Sequence, residues 1–558
     1  MHSGSEKAES YGGGISRVVS YAAGLALLAL MLPVALLGKS DTLEGVRYWW
    51  LADDAMISMR YGRNLAEGLG LVWNAGERVE GYTNLLWTLF MALVHLTPLP
   101  DSKTSLVVLL ANVGIAAATV PLIARLVRLL GSGAWATGAT LAVYVLGADT
   151  SFFATSGMET SLLGFLLVLC VCRVLEESRS GTPRASTYLA IGALGLVRAD
   201  AVILSGLVCG ASLVLNQDKK KVAYHCLLAL APVIASETFR ILYYGEPLPN
   251  TAYLKATNWD GRYAAGWRYV SGFARTYALP CILAAVGVGL SGSRVRLVLG
   301  SVLLLYAAYV VYVGGDMFPS YRFFVPVIPV LSALAFVAVQ DLPTPAVHRL
   351  AIGLLCLLSV PAIVWTYPSL LSPSAPESGD VQIGLYLREN TPPDVVVADT
   401  AAGSVFYFSR RTGVDLLGKT DPYIAQQAPA SDGMVPGHNK FDYSYSLDER
   451  QPDYVVSGFL LPVSEEDMLA MSTGDAAYVG QLYFHPSFQE HCLPNPLNTD
   501  TWRTIFRCLW SPGSGWQAGE PALCRTSDNS VMTKFALIHR PALDKVLCNQ
   551  DHAPVIST

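Results

Sequence analysis

Long apolar runs separated by short polar stretches dominate the chain up to about Leu370. Beyond that point Asp, Asn, Ser and Pro return, and no run is long enough to cross a bilayer. Two regions follow from this pattern, a membrane body over residues 1–370 and a C-terminal soluble domain over 371–558. The apolar runs predict eleven crossings: Val18–Leu37, Thr104–Arg125, Ala134–Ala148, Ser161–Val171, the halves Tyr188–Val197 and Ala201–Leu215, then Val222–Leu242, Val270–Leu290, Leu297–Val313, Phe323–Val339 and Leu350–Tyr367. The first run lacks a small-residue cleavage site and reads as a retained span. Leu85–Leu96 is short for a crossing, and counting it as one would place Arg125 and Arg128 outside, so it reads as an interfacial helix. Arg198-Ala199-Asp200 splits two short apolar halves, the signature of a turn that lines a cavity, because charges at membrane depth persist only where protein or water covers them.

In the soluble domain, Val381–Leu387 predicts a helix, and Asp394–Asp399, Gly413–Leu417 and Asp453–Val456 predict buried strands, which makes a small α/β domain. No glycine-rich phosphate loop follows these strands, so acceptor binding, cavity closure or plain capping is its expected role.

Composition agrees with this division. The 558 residues are 52% hydrophobic and only 15% charged, against roughly 25% charged in an ordinary soluble protein, which excludes a cytosolic globular enzyme. The net charge is −5, and no basic block exceeds Lys219-Lys220-Lys221, so nucleic acid is not an expected partner.

Lys and Arg near span ends orient the chain, since cytoplasmic loops retain them. The N-terminus then lies inside and the C-terminal domain outside. The outer face collects Asp53-Asp54, Asp149, Glu159, Arg198-Asp200, the stretch Tyr244–Lys255, Asp316 and Arg322. An unpaired charge embedded at a span end costs roughly 2.5 kcal/mol or more, so mixed signs from separate helices are expected to neutralise one another around one polar cavity. Cys170, Cys172, Cys209, Cys226, Cys281 and Cys356 lie in or beside spans as small apolar residues, whereas Cys492, Cys508, Cys524 and Cys548 form an even set in the exported domain. Two disulfides are expected there with the pairing open, and zinc is disfavoured because no CxxC spacing is present.

The first outer loop carries the densest chemistry: Asp53-Asp54-Ala-Met-Ile-Ser-Met-Arg60-Tyr, then Gly70-Leu-Val-Trp-Asn74, then Gly76-Glu-Arg-Val-Glu-Gly-Tyr82-Thr-Asn84. Adjacent aspartates opening a helix can oppose its dipole; they can also raise one another's pKa and accept a proton from an attacking hydroxyl. This wording resembles the GT-C class of membrane glycosyltransferases, and within it the bacterial arabinofuranosyltransferases of the AftB and TfpW types. Gly157-Met-Glu159-Thr, Arg198-Ala-Asp200, Pro247-Leu-Pro-Asn250-Thr with Lys255, Gly314-Gly-Asp316 before Arg322-Phe, Asp415-Leu-Leu-Gly with Thr420-Asp-Pro, and Pro436-Gly-His438 are similar to the same family. Two positions depart from it: Lys419 stands where an apolar residue is expected, and Asn439 where an acidic one is expected.

The resemblance implies a GT-C fold and inverting transfer of D-arabinofuranose from decaprenyl-phosphoryl-arabinose to an extracytoplasmic acceptor, cell-wall arabinan or pilin, at the bacterial inner membrane. It implies Asp54 as base with Asp53 orienting Arg60, although spacing serves either aspartate. Negative charge grows on the departing phosphate, and Lys255, Arg198 and Arg322 are the expected cations there. As plain ion pairs, Arg322 could instead partner Asp316, and Arg198 could partner Asp200. Glu159, Asp200, Asn250, Asp316, Arg60, Tyr82 and His438 are the expected substrate contacts, Tyr82, Trp73 and Trp87 as stacking platforms or interfacial anchors. No cofactor is required, and the acid-rich outer face leaves room for a divalent cation. The alternatives are a transferase of another sugar, mannose or aminoarabinose, from a polyprenyl phosphate, and a multi-pass transporter or flippase.

Overall fold

The computed structural model describes residues 2–256, 261–318, 320–340, 367–373, 375–456, 465–495 and 503–510. The chain divides into two compact units at Ser374 and Ala375.

The first unit is helical. Helix α1 (His2–Pro33) holds the first apolar run and passes through one π-helical turn into a hairpin, β1 (Ser40–Leu43) and β2 (Val46–Trp49). Glu44 and Gly45 both adopt positive φ, as a two-residue hairpin turn demands. There follow α2 (Asp53–Ala66), α3 (Leu85–His95), α4 (Asp101–Leu129), α5 (Ala134–Leu146), α6 (Ala148–Ala154), α7 (Thr160–Ser180), α8 (Ala185–Val197), α9 (Val202–Leu215), α10 (Lys219–Tyr244) and α11 (Asn250–Ala256). After these come α12 (Arg262–Thr276), α13 (Ala278–Leu290), α14 (Arg294–Val313), α15 (Ile328–Gln340) and α16 (Tyr367–Leu371).

Polar residues set the ends of these helices. The Asp218 side chain accepts from Lys221 N to start α10, Ser293 accepts from Arg296 N to start α14, and left-handed Gly245 and Gly314 stop them. Helix α8 packs on α10 so closely at Gly192 that a Cβ there would strike the Ala229 carbonyl.

Arg17–Gly38, Asp101–Leu129, Lys219–Tyr244 and Arg294–Val313 are each long and apolar enough to cross a membrane. The expected single crossing Val270–Leu290 is corrected to two helices, α12 and α13, bent by 88° at Tyr277; if this pair is one broken span, the number among the described residues is five. Five further apolar helices, at Leu85–His95, Ala134–Leu146, Ala185–Val197, Ala199–Leu215 and Val325–Val339, are shorter. The expected crossing Leu350–Tyr367 lies outside the described residues apart from Tyr367.

The second unit contains α17 (Ala375–Asn390), β3 (Val396–Asp399), α18 (Ser404–Ser409), β4 (Thr412–Asp415), α19 (Pro422–Gln426) and β5 (Tyr454–Val456). It continues with α20 (Glu465–Ala470), α21 (Ala477–Phe484), α22 (Pro486–His491), β6 (Cys492–Asn495) and β7 (Ile505–Cys508). The strands form one sheet in the order β4-β3-β5-β7-β6, with β4, β3 and β5 parallel and β7 and β6 antiparallel beside them. Ala398, Val414, Leu417, Val455 and Phe506 are part of its core. Cys492 and Cys508 face each other across β6 and β7 and are disulfide-bonded, while Cys524 and Cys548 lie outside the described residues.

Candidate active site

Asp53 and Asp54 occupy the first turn of α2, where acidic side chains offset the partial positive charge of the helix start. Asp54 Oδ2 is 3.4 Å from Arg322 Nη1. Arg322 in turn grips Asp316, with Nη2 donating to Oδ1 at 3.0 Å and Nε 2.6 Å from Oδ2, and its guanidinium lies over the Phe318 ring. Lys255 Nζ reaches the same carboxylate at 3.8 Å. One buried carboxylate thus gathers two cations drawn from different parts of the chain, and one of those cations also touches Asp54.

The backbone turn that delivers Asp316 depends on glycine. Gly314 and Gly315 both have positive φ, and a Cβ on Gly315 would stand 2.6 Å from Tyr269 Cβ. Lys255 arrives on α11, whose first residue, the buried Asn250, is tied by its N–H to the Glu80 carbonyl at 2.9 Å. Asn250 therefore positions the lysine's helix.

A second ionic group adjoins the first. Arg198 donates through Nε and Nη2 to both oxygens of Asp200, at 2.9 and 2.7 Å, and lies 3.8 Å from Glu159. Its guanidinium covers the ring of Phe323, the residue next to Arg322. Glu159 accepts from Asn84 Nδ2 at 2.9 Å, and Asn84 Oδ1 accepts from Ser58 Oγ at 2.9 Å, one helical turn along α2 from Asp54. Arg198 Nη1 is buried with no hydrogen-bond partner among the described residues, which leaves one cationic donor open in this region.

Asp53, Asp54, Glu159, Arg198, Asp200, Lys255, Asp316 and Arg322 thus share one region of the first unit, and the ion pairs Arg322–Asp316 and Arg198–Asp200 both form. Other expected contacts stand differently. Arg60 directs Nε to the Trp73 carbonyl at 2.6 Å and Nη2 to Asn74 Oδ1 at 2.9 Å while lying over the Trp73 ring, so it braces the Gly68–Asn74 loop against α2. Tyr82, expected as a stacking platform or an interfacial anchor, is an interior residue: it is buried between Tyr61 and Tyr244 and accepts a hydrogen bond from the Tyr244 hydroxyl. Trp73 and Trp87 are likewise buried, and Trp87 Nε1 donates to the Gly157 carbonyl. His438 belongs to the second unit. Among the described residues, no group of three or more His, Cys, Asp or Glu side chains gathers as a metal site.

Sequence reasoning passed over Ser58 and Asn84, which carry no charge, and the Glu80–Arg240 pair at 2.5 Å, whose members are 160 residues apart. It noted Asp149 without giving it a role. Burial pushes that carboxyl up in pKa, opposed by the Tyr277 and Ser320 hydroxyls, and the Tyr277 hydroxyl donates to it at 2.8 Å from the break between α12 and α13.

Residues 373–506 match the model of a domain of unknown function, DUF8728. Two curated relatives are terminal β-(1→2)-arabinofuranosyltransferases. The one from Corynebacterium glutamicum is 28% identical over 341 residues, 52% of this chain and 48% of the relative. The one from Mycobacterium tuberculosis is 32% identical over 265 residues, 43% of this chain and 40% of the relative. The chain therefore aligns with about half or less of these relatives' own length. Among solved structures, ArnT from Cupriavidus metallidurans bound to undecaprenyl phosphate superposes with a TM-score of 0.53 at 12% identity, covering 88% of this chain and 97% of that one. This likeness establishes a shared helical membrane fold of the GT-C type.

Proposed function

We propose that the chain is an inverting, polyprenyl-phosphate-dependent arabinofuranosyltransferase that moves D-arabinofuranose from decaprenyl-phosphoryl-arabinose to an extracytoplasmic acceptor hydroxyl. The carrying observation is that Asp54, Arg322, Asp316 and Lys255 form one continuous ionic chain. Asp54 takes the proton of the acceptor hydroxyl as its oxygen bonds to the anomeric carbon. The bond from that carbon to the phosphate oxygen breaks on the opposite face, and polyprenyl phosphate leaves with the electron pair. Arg322, Lys255 and Arg198 meet the charge that grows on the phosphate, where preplaced cations lower the barrier more than they stabilise the bound donor. Asp316 is a positioning residue that keeps two of these cations together.

The names of the two aligned relatives support arabinofuranose as the sugar, and the undecaprenyl phosphate in the ArnT structure supports a polyprenyl carrier. In this reading the chain crosses a bacterial inner membrane several times, the N-terminus is cytoplasmic, and the ionic chain and C-terminal α/β domain face outward. The ArnT-like fold also favours one rival, transfer of another sugar from the same class of carrier.

In vitro transfer from synthetic decaprenyl-phosphoryl-arabinose tests the proposal. Asp54→Asn should lower turnover by roughly 10²–10⁴-fold while donor binding persists, the range expected for loss of a general base. Undiminished turnover overturns the assignment, and transfer from a different sugar donor alone selects the rival.

A further inference from the structure

Helix α12 presents a face that the transfer chemistry above does not use. It meets α13 at 88°. Its packed side rests on one end of α14 rather than running down it. The Tyr263 and Tyr312 rings are 6.3 Å apart, a Cβ on Gly266 would strike the Val311 carbonyl, and Tyr269 lies against Gly315. Helix α14 is long and apolar enough to cross a membrane, and with it in that position α12 lies along the membrane surface.

The exposed side of α12 is sorted into two stripes. Tyr263 and Trp267, one turn apart, are 50% and 66% exposed. Arg268 and Arg275, two turns apart and roughly 100° around the helix from that pair, are exposed as well. The third arginine, Arg262, is placed differently, with its guanidinium over the Tyr263 and Tyr312 rings. Arg275 Nε donates to the Ser271 carbonyl at 3.2 Å within the same helix, and neither Arg268 nor Arg275 forms an ion pair among the described residues. Helix α12 carries no acid at all, in a chain whose net charge is −5.

This arrangement selects its occupant. Aromatic side chains on a surface-lying helix sink to the acyl boundary, while arginines on the adjoining stripe stay at the level of the lipid phosphates. Each guanidinium offers a phosphate paired donors, and the two positive charges call for an anion. A zwitterionic headgroup, whose own charges cancel, leaves them uncompensated.

We propose that α12 is a membrane-surface helix that binds the anionic headgroups of the bilayer's own phospholipids, with Arg268 and Arg275 on the phosphates and Tyr263 and Trp267 at the acyl boundary. The contact reaches the ionic chain. Tyr269, on the packed side of α12, lies against Gly315 beside Asp316, and its hydroxyl accepts from the N–H of Phe323 beside Arg322 at 3.3 Å. Lipid composition thereby acts on the turn that carries both ions.

Photocrosslinking of the full chain in lipid nanodiscs tests this, with phosphatidylglycerol and phosphatidylcholine carrying the same photoactivatable acyl chain. The yield on peptides from Arg262–Thr276, read by mass spectrometry, should be about tenfold higher for phosphatidylglycerol. Arg268→Gln combined with Arg275→Gln should remove that excess, and so should high salt. Arg268→Lys combined with Arg275→Lys, which keeps both charges, should hold it within about twofold. Trp267→Ala should lower both yields alike. Equal yields from the two lipids on wild type, or an undiminished excess in the folded double Gln variant, overturn the proposal. An excess abolished by trace polyprenyl phosphate also overturns it, by giving the arginines to a lipid-linked donor. So does a dimer that Trp267→Ala dissociates, because a second copy would then cover this face. No sugar donor is present, so the result is independent of the transferase reading, which Asp54→Asn turnover judges.

Discussion

Two sets of ionic side chains, one in each unit, are placed in opposite ways. In the helical unit, Asp54 and Lys255 are 18% and 24% exposed at the side chain and touch their partners at 3.4 and 3.8 Å. In the second unit, the side chains of Arg503 and Asp399 are 1% and 0% exposed and in close contact, and Arg503 also holds Asp380 at 3.0 Å. Loosely contacted, partly exposed ion pairs are worth little and can be exchanged for a ligand's charge, whereas sealed pairs cannot lose one member without leaving a buried charge unmet. Distance and exposure together set Asp54 and Lys255 apart from Arg503 and Asp399, which hold the fold.

The sharpest way to break this comparison is Arg503→Leu, which should destabilise the second unit by about 3–5 kcal/mol by stranding Asp399. Calorimetric unfolding should show that transition lost or shifted far down; an unchanged transition would mean that the pair is not structural. Next in size, replacing Cys492 and Cys508 together by Ser should cost the same unit about 3 kcal/mol by freeing the loop they close, read from the same transition without reductant. A smaller effect is expected from Arg322→Lys. The charge remains but the two-point grip on Asp316 is lost, so transfer should fall about tenfold with unfolding unchanged. Equal losses of stability and turnover in Arg322→Lys would erase the distinction between the two kinds of ion pair.

Much of the helical unit could be read ahead from its residues. Apolar runs marked the helices, and the basic residues around Lys219 and the left-handed glycines Gly245 and Gly314 stand at their ends. The break at Tyr277 falls inside the expected run Val270–Leu290, where Ser271, Arg275 and Thr276 before it and Pro280 in the first turn of α13 are the local hints of a helix end and a new helix start. Arg60 and Tyr82 show the converse error. Their residue types suit a sugar site, yet packing turns Arg60 to the Trp73 carbonyl and seals Tyr82 between two tyrosines. Glu159, Asn84 and Ser58 join across up to 101 positions through neutral groups that no local pattern distinguishes.

By itself, the sequence determined which segments are apolar enough to leave water, where their ends fall, and which charged side chains are stranded at those ends, because transfer free energy and helix termination depend on residues within a turn or two. Tertiary structure decided which stranded charges meet. It set Lys255 and Arg322 on the same Asp316 and left Arg198 Nη1 open. Coulombic and hydrogen-bond terms fall off within a few ångströms, so they depend on how the helices pack rather than on the order in which the chain lists its residues.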